Sequence, residues 1–180
     1  MRQQKGFSLI ELLIVVAIIL IIAAIAIPNL LRARIAADES SAVASVRSFN
    51  TAEISYTTTY PTVGYAAART DLGQPAAGCP GTGPTQTGAC LVDGVLTTGL
   101  KSGYNFDALG SKSAGSTINN QYAVGAAPNL YNQTGVRGFC SVSDGVLKFD
   151  PNTGGAKNGA GGATTEAGYA ACFALTTILQ

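Results

Sequence analysis

The feature that most constrains this 180-residue chain is an almost continuous aliphatic run from Phe7 to Ile27. As an α-helix, a run of this length would extend roughly 32 Å at about 1.5 Å per residue. That length matches the hydrocarbon core of a bilayer, which is about 30 Å thick. The run is longer than the apolar region of a secretory signal peptide, and the small residue that abuts a break, Gly6, lies before the run. It therefore predicts an uncleaved, single-span membrane anchor.

Glu11 places a carboxylate near the start of this apolar run. An ionised carboxylate at the centre of a membrane helix costs about 2.5–3.5 kcal/mol on insertion scales, and somewhat less near the interface. The residues leave two interpretations open. Glu11 either extends toward water and does little, or it awaits a cation from a partner inside an apolar, protein-lined environment.

The composition argues against a catalytic or nucleic-acid-binding protein. The formal charge is +1, only 12% of the residues are charged, and histidine is absent. The chain therefore lacks the commonest general base and metal ligand, and it has no dense basic patch. Since no nucleophile–base pair, catalytic carboxylate pair, metal-ligand spacing or phosphate loop is visible, we predict a protein that is not an enzyme and uses no metal or cofactor.

The stretch GFSLIELLIVVAIILIIAAIAIPNLLRAR closely resembles the N-terminus of type IV pilins and of type II secretion pseudopilins. The shared pattern is Gly before Phe, Glu at the fifth residue after the Gly, an aliphatic run, and then Pro. The resemblance is strong over about residues 1–35 and looser to about Tyr60. Beyond that point only the architecture is similar.

This resemblance implies how the N-terminus is processed. Residues 1–6 would be a leader peptide that a prepilin peptidase removes by cutting between Gly6 and Phe7, after which Phe7 is N-methylated. Glu11 would pair with the N-terminal amine of a neighbouring subunit that enters the filament. Cleavage itself creates that cation, because an α-amino group is largely protonated at neutral pH. Such a pair in an apolar filament core sets the axial register more than it adds net stability.

A single long helix is predicted from the anchor into a head domain. Residues 7–28 form its transmembrane or filament-core half, and residues 29–60 form an amphipathic half. Pro28 lacks an N–H and clashes with the preceding turn, so we expect a kink or local loss of helicity there, with the helix continuing to Pro61. Apolar residues recur on one face of the second half, which is predicted to pack on a sheet, with Ser, Arg and Asp/Glu on the other face. These residues are Leu31, Ile35, Ala42, Val46, Phe49, Tyr56 and Tyr60.

Residues 61–180 are predicted to form the globular head. Residues 61–100 are expected to be a loop region because Gly and Pro are dense there. The runs SGYNFDAL, NQYAVGAAP and RGFCSVSDGVLKFDP predict an antiparallel sheet over about 101–150. A Gly-rich C-terminal region, 151–180, follows. The predicted fold class is therefore α+β, a long N-terminal helix packed on a small antiparallel sheet, as in the type IV pilin fold.

The dipeptide Asp144-Gly145 predicts a two-residue hairpin with a type I′ turn. In that register Val142 faces Leu147, Ser141 faces Lys148 and Cys140 faces Phe149. An apolar face consisting of Cys140, Val142, Leu147 and Phe149 would then lie on the helix, and Cys140 would point inward toward it.

Four cysteines lie beyond the apolar run, and their even number indicates disulfides in an oxidising compartment. They are Cys79, Cys90, Cys140 and Cys172. Of the three possible pairings we favour Cys79–Cys90, which brackets the Gly/Pro-rich loop, together with Cys140–Cys172. The resemblance to pilins supports this choice only in general, since many type IV pilins carry a C-terminal disulfide loop with variable spacing.

The predicted function is that of a structural subunit of a type IV pilus filament, with roles in adhesion, motility or DNA uptake. Its partners would be further copies of the chain in a helical filament, the prepilin peptidase/N-methyltransferase and an inner-membrane assembly platform. The precursor would lie in the bacterial inner membrane with its head in the periplasm, and the product in an extracellular pilus. The alternatives are a type II secretion pseudopilin in a periplasmic pseudopilus and a minor pilin acting as a membrane-anchored binding module. Nucleic acid is not expected as the main partner.

Overall fold

The structure is a computed structural model that describes residues 7–74, 78–79, 83–150, 172 and 178–179. The chain divides into two compact units, Met1–Arg34 and Ile35–Gln180. The predicted α+β class is confirmed, because a long N-terminal helix packs on a small antiparallel sheet of five strands. The elements are α1 (Leu9–Thr59), α2 (Arg69–Leu72), α3 (Gly94–Thr98), β1 (Leu100–Lys101), β2 (Tyr104–Ser111), β3 (Gln121–Pro128), β4 (Gly138–Val142) and β5 (Leu147–Asp150).

Helix α1 is 51 residues long and continues through Pro28, as expected. It ends at Thr59, just before Pro61, where the residue preceding a proline is biased away from helical backbone angles. The kink or local loss of helicity at Pro28 stays a prediction, since the helix is assigned without a break there.

The five strands form an antiparallel meander in the order β1-β2-β3-β4-β5. The longest pairing joins β2 to β3 over eight residues each, from Tyr104 opposite Pro128 to Ser111 opposite Gln121. Strands β3 to β5 fall within the sequence runs that predicted them, and β2 extends two residues beyond its run, to Ser111. Each strand pairs with its neighbour in sequence, because antiparallel strands can be joined without a crossover connection.

The core lies between the C-terminal part of α1 and one face of the sheet. Among the stripe residues predicted to pack there, those from position 42 to position 56 are buried, Tyr60 is partly buried, Ile35 is half-buried, and Leu31 is exposed. The predicted separation of apolar and polar faces is wrong, because four polar side chains of α1 are also buried: Glu39, Ser45, Asn50 and Glu53. Buried polar groups require hydrogen-bond partners, and most of these partners lie in distant parts of the chain.

The hairpin between β4 and β5 departs from the prediction by one residue. A type I′ turn needs positive φ at both central residues, whereas of Asp144 and Gly145 only Gly145 has one, at +71°. The Gly145 N–H instead donates to the Val142 carbonyl at 2.8 Å, and the Asp144 carboxylate accepts the Val146 N–H at 2.8 Å. The turn therefore closes one residue earlier than predicted.

This shift exchanges the two faces of β4, because neighbouring residues of a strand point to opposite sides of the sheet. Ser141 pairs with Leu147 and Cys140 with Lys148, whereas the prediction paired Ser141 with Lys148 and Cys140 with Phe149. Cys140 is buried, but it does not face the helix. It belongs with Val142 to a small cluster on the opposite face of the sheet, completed by Ala123 and Cys172.

The predicted loop region 61–100 contains the short helices α2 and α3, which the density of Gly and Pro did not suggest. Asp93 caps α3 by accepting the Leu96 N–H at 2.6 Å, and Gly99 ends it in the left-handed conformation, with φ of +81°. The Arg69 guanidinium links α3 to the sheet, because it donates to the carbonyls of Thr97 in α3 and Phe106 in β2, each at 2.9 Å. A side chain at residue 99 would also collide with Arg69, since its Cβ would lie 2.7 Å from Arg69 Cζ.

Candidate processing and assembly site

The N-terminal half of α1 presents an extended apolar surface that none of the described residues covers. Phe7 is 87% exposed, and the most apolar 18-residue window of the helix has a mean hydropathy of 3.3 with none of it buried. By length and composition the helix can cross a membrane. Soluble monomers rarely expose a contiguous apolar surface of this size, so it requires lipid or other apolar helices as surroundings.

Glu11 lies in the first turn of α1, where it has a local hydrogen-bond donor. The backbone N–H of Ser8 donates to Glu11 Oε2 at 2.9 Å. Ser8 precedes the first helical residue and Glu11 is the third, so this bond is one half of a capping box. A carboxylate in this position is also favoured by the partial positive charge at the helix N-terminus. The Ser-x-x-Glu spacing was visible in the sequence, and our sequence interpretation of Glu11 missed it.

The capping role provides a third interpretation of Glu11 beside the two that the sequence left open. In the unassembled chain the carboxylate is exposed and accepts a single backbone hydrogen bond. A carboxylate has about four lone-pair sites, so Glu11 retains the capacity to accept a further cationic donor. Phe7 lies directly before this cap, whereas Gly6 lies outside the described residues.

The four cysteines form two disulfides, Cys79–Cys90 and Cys140–Cys172. These are the pairs that the sequence interpretation favoured. Their Cα–Cα separations are 5.8 and 6.1 Å. The first closes a segment rich in Gly and Pro, and the second ties residue 172 to the face of the sheet that α1 does not cover.

No group of three or more His, Cys, Asp or Glu side chains that could hold a metal ion occurs among the described residues. The chemistry that Glu11 offers is helix capping and charge pairing, because its exposed carboxylate accepts a backbone hydrogen bond at the start of α1.

Comparison with known proteins points to the same segment. Residues 1–27 match the profile of the prokaryotic N-terminal methylation motif. Phe7 and Glu11 both lie within it, as does the cleavage position predicted after Gly6.

Two relatives extend the likeness beyond the methylation motif. The chain is 65% identical over 40 residues to the type IV wide pilus major component PilA4 of Thermus thermophilus, covering 22% of this chain and 30% of that protein. It is 46% identical over 54 residues to the type IV major pilin protein PilA of Myxococcus xanthus, covering 30% of this chain and 24% of that protein. The chain thus matches less than a third of the length of either relative.

These matches confirm the resemblance to type IV pilins. No solved structure matches the chain significantly. One relative is named as a major component of a pilus and the other as a major pilin, which agrees with the prediction that the chain is not an enzyme.

Beyond the methylation motif, Glu39 fastens α1 to the start of β4. Glu39 Oε1 accepts the backbone N–H groups of Val136 and Arg137 at 3.0 and 3.1 Å. Glu39 Oε2 accepts the Arg137 side chain at 2.8 Å from Nε and 2.6 Å from the terminal nitrogen. The guanidinium lies over the rings of Phe139 and Phe149, with Cζ 5.7 and 5.6 Å from their centroids. We call this arrangement the Glu39 clamp.

The Glu39 clamp continues into the core through Tyr104. The Tyr104 hydroxyl donates to the Arg137 carbonyl at 2.9 Å. Burial raises the pKa of Tyr104 above its ordinary value, and the nearby Glu39 carboxylate raises it further. Tyr104 therefore acts as a hydrogen-bond donor throughout the physiological pH range.

Replacement of Arg137 by alanine is expected to destabilise the head by about 2 kcal/mol. Breaking a buried ion pair costs about 3–5 kcal/mol, but the Arg137 side chain is 42% exposed and solvent screens part of the interaction. The measurement is denaturant unfolding of the full chain in detergent micelles. Arg47→Ala is the matched control, because Arg47 lies on the exposed face of α1 and should change stability by less than about 0.5 kcal/mol. Equal effects of the two substitutions would contradict the clamp.

Proposed function

We propose that the chain is a structural subunit of a type IV pilus filament. The observation that carries this proposal is the exposed apolar helix of the methylation motif, headed by Glu11 within one helical turn of Phe7. In this proposal the membrane holds the precursor through α1. A prepilin peptidase then cuts between Gly6 and Phe7, and Phe7 is N-methylated.

In this proposal the exposed apolar surface of the N-terminal half of α1 drives assembly. When a subunit leaves the bilayer, the apolar half of α1 must find another water-free environment. The homologous helices of other copies provide one, so the product is a homo-oligomeric helical bundle with the heads outside. A pilus also accounts for the similarity to two pilus components.

Glu11 would guide the incoming subunit into register. The α-amino group released at Phe7 is cationic at neutral pH, and a charge-assisted hydrogen bond to a carboxylate is roughly twice as strong as a neutral one. Because an unpaired carboxylate in an apolar bundle is costly, axial positions that leave Glu11 unpaired are disfavoured. Until that partner arrives, the Ser8 N–H occupies one acceptor site of the carboxylate and leaves the others available.

The head would reside first in the periplasm and then outside the cell. Both disulfides require an oxidising compartment, which agrees with this location. The peptidase/N-methyltransferase and an inner-membrane assembly platform are the partners that this route requires.

The test is electron microscopy of fibres sheared from cells, followed by mass spectrometry of their subunits. An abundant chain with Phe7 at its amino terminus is the expected result. A trace amount would make it a minor pilin. Absence from surface fibres, together with retention in the periplasm, would overturn the proposal in favour of a secretion pseudopilin.

Replacement of Gly6 by alanine is expected to block processing, because the peptidase is proposed to cut after this residue. Unprocessed precursor should accumulate in the inner membrane, and the amount of mature chain should fall at least tenfold, corresponding to about 1.4 kcal/mol or more in the barrier to cleavage. Immunoblotting and N-terminal mass spectrometry measure both forms. Gln4→Ala, two residues upstream, is the control and should be processed normally. Mature chain beginning at Phe7 in the Gly6→Ala strain would show that the cleavage assignment is wrong.

A further inference from the structure

Glu53 is the most deeply buried carboxyl group among the described residues, and its side chain is completely inaccessible to solvent. It lies on the face of α1 that packs against the sheet. One oxygen, Oε2, accepts the backbone N–H of Ala66 at 2.9 Å. The other oxygen, Oε1, has no hydrogen-bond partner among the residues that the structure describes. An ionised carboxylate in this environment would therefore be half-satisfied, which is costly in a region of low dielectric constant.

Asn50, three positions earlier on α1, also has one buried polar atom without a hydrogen-bond partner. Its amide nitrogen Nδ2 donates to Ser141 Oγ on β4 at 2.8 Å, but its oxygen Oδ1 finds no partner in the described parts of the chain. Within the described part of the chain, two buried side-chain nitrogen or oxygen atoms lack a hydrogen-bond partner, and they are Asn50 Oδ1 and Glu53 Oε1. Residues three apart on a helix are neighbours on one face. Both atoms are acceptors, so neither can satisfy the other as long as the carboxyl group is ionised.

We propose that Glu53 is a buried proton-binding site, and that its carboxylic acid donates a hydrogen bond to Asn50 Oδ1. A single proton removes both deficiencies, because it turns Glu53 Oε1 into a donor and gives Asn50 Oδ1 a partner. The proton balance is simple: the head takes up one proton from solvent when it folds at neutral pH. This role lies outside the proposed assembly function, which depends on the other half of α1.

The surroundings of Glu53 favour the neutral acid. Among the described residues, Asp71 on α2, Tyr56 on α1 and Tyr122 on β3 interact with it electrostatically, and none of these three groups carries a positive charge. Asp71 has its own partner, since it accepts the Ala68 N–H at 3.1 Å. Burial raises the pKa of Glu53 to about 8, the Ala66 N–H opposes this shift, and the Asp71 carboxylate adds to it.

The sign of the resulting pH dependence follows from linkage. The folded pKa lies above the unfolded value of 4.5, so the folded head binds more protons than the unfolded chain between these limits. The stability contributed by the bound proton is complete below about pH 4.5, and it is lost as the pH rises toward about 8. Over this window each pH unit should raise the unfolding constant of the wild type by up to about tenfold relative to a variant with no titrating group at residue 53.

The experiment is denaturant unfolding of the full chain in detergent micelles from pH 5 to pH 9, for the wild type and for Glu53→Gln. Glutamine keeps an acceptor for Ala66 and supplies an N–H donor toward Asn50, so this variant should be at least as stable as the wild type at pH 8. The ratio of the two unfolding constants should change at least a hundredfold across the range. Carbon-13 NMR of the Glu53 carboxyl group in the folded wild type should show a neutral acid at pH 6.

Glu53→Met is the matched control, because it has a similar volume but neither titrates nor forms hydrogen bonds. Like Glu53→Gln, it should remove the contribution of residue 53 to the pH dependence of the unfolding constant. It should nevertheless be less stable than Glu53→Gln at every pH. Two results would overturn the proposal. One is a carboxylate signal for Glu53 at pH 6, and the other is a constant ratio between the wild type and Glu53→Gln. Either would mean that Glu53 is ionised and that Asn50 presents its amide nitrogen to it. The NMR measurement needs no variant, so the test survives if a substitution prevents folding.

Discussion

Replacement of Glu11 by valine is expected to leave membrane insertion intact and to reduce surface filaments at least tenfold. Valine removes the desolvation cost of a carboxylate in the apolar run, so the anchor inserts as well as before or better. Assembly fails because the cationic amine of the incoming subunit no longer finds a fixed acceptor, and register is lost. The measurement compares sheared-fibre protein with the inner-membrane pool of mature subunit.

Glu11→Gln separates the two roles that the structure gives to this residue. Glutamine can accept the Ser8 N–H, since Gln serves at this position of a capping box as Glu does. It cannot provide the negative charge. If charge pairing drives assembly, Glu11→Gln should fail as Glu11→Val does. Normal filaments from Glu11→Gln but not from Glu11→Val would show that the helix cap is what matters, and normal filaments from both would refute the role of Glu11 in assembly.

The long N-terminal helix and the resemblance of its first part to type IV pilins were predicted correctly from sequence, for a physical reason. Membrane length, an isolated carboxylate and a proline are all local features, so they can be recognised without knowing what the rest of the chain does. The same holds for β2 to β5, whose apolar and aromatic runs were recognisable between turn residues. The Ser8–Glu11 cap was equally local and could have been found from its spacing alone.

The polar residues of the core could not be predicted in this way. The helical periodicity of apolar residues places a carboxylate on the solvent face. This placement fails when hydrogen-bond partners offset the desolvation cost of burying the carboxylate. The partners of Glu39 come from Val136 and Arg137, nearly a hundred positions along the chain, and sequence alone does not bring them together. The hairpin register failed for a subtler reason. Asp-Gly also fits a turn in which only the glycine has positive φ, and a shift of one residue moves Cys140 to the other face of the sheet.

Removal of the Cys140–Cys172 disulfide is expected to be the most destabilising change in the head, at about 4 kcal/mol. A disulfide restricts the unfolded chain, and in the chain-entropy account the effect grows with the segment that it closes. This bond closes a sequence separation of 32 residues, whereas Cys79–Cys90 closes 11, for which about 3 kcal/mol is expected. Each pair should be replaced with two alanines, so that no single thiol is left to form intermolecular bonds.

Because Cys140 lies on the face of the sheet opposite α1, removal of its disulfide is expected to cost even more stability, relative to removal of Cys79–Cys90, than the sequence separations alone predict. Cys140 and Cys172 are both buried, and they share a cluster with Ala123 and Val142 on the face of the sheet opposite α1. Without the bond, residue 172 is no longer held over that face, so apolar contacts are lost in addition to the entropic term. Denaturant unfolding of the full chain in detergent micelles should therefore give a lower free energy of unfolding for Cys140→Ala/Cys172→Ala than for Cys79→Ala/Cys90→Ala. If the order were reversed, the cluster on this face would contribute little, and the stability of the head would depend instead on its loop between Cys79 and Cys90.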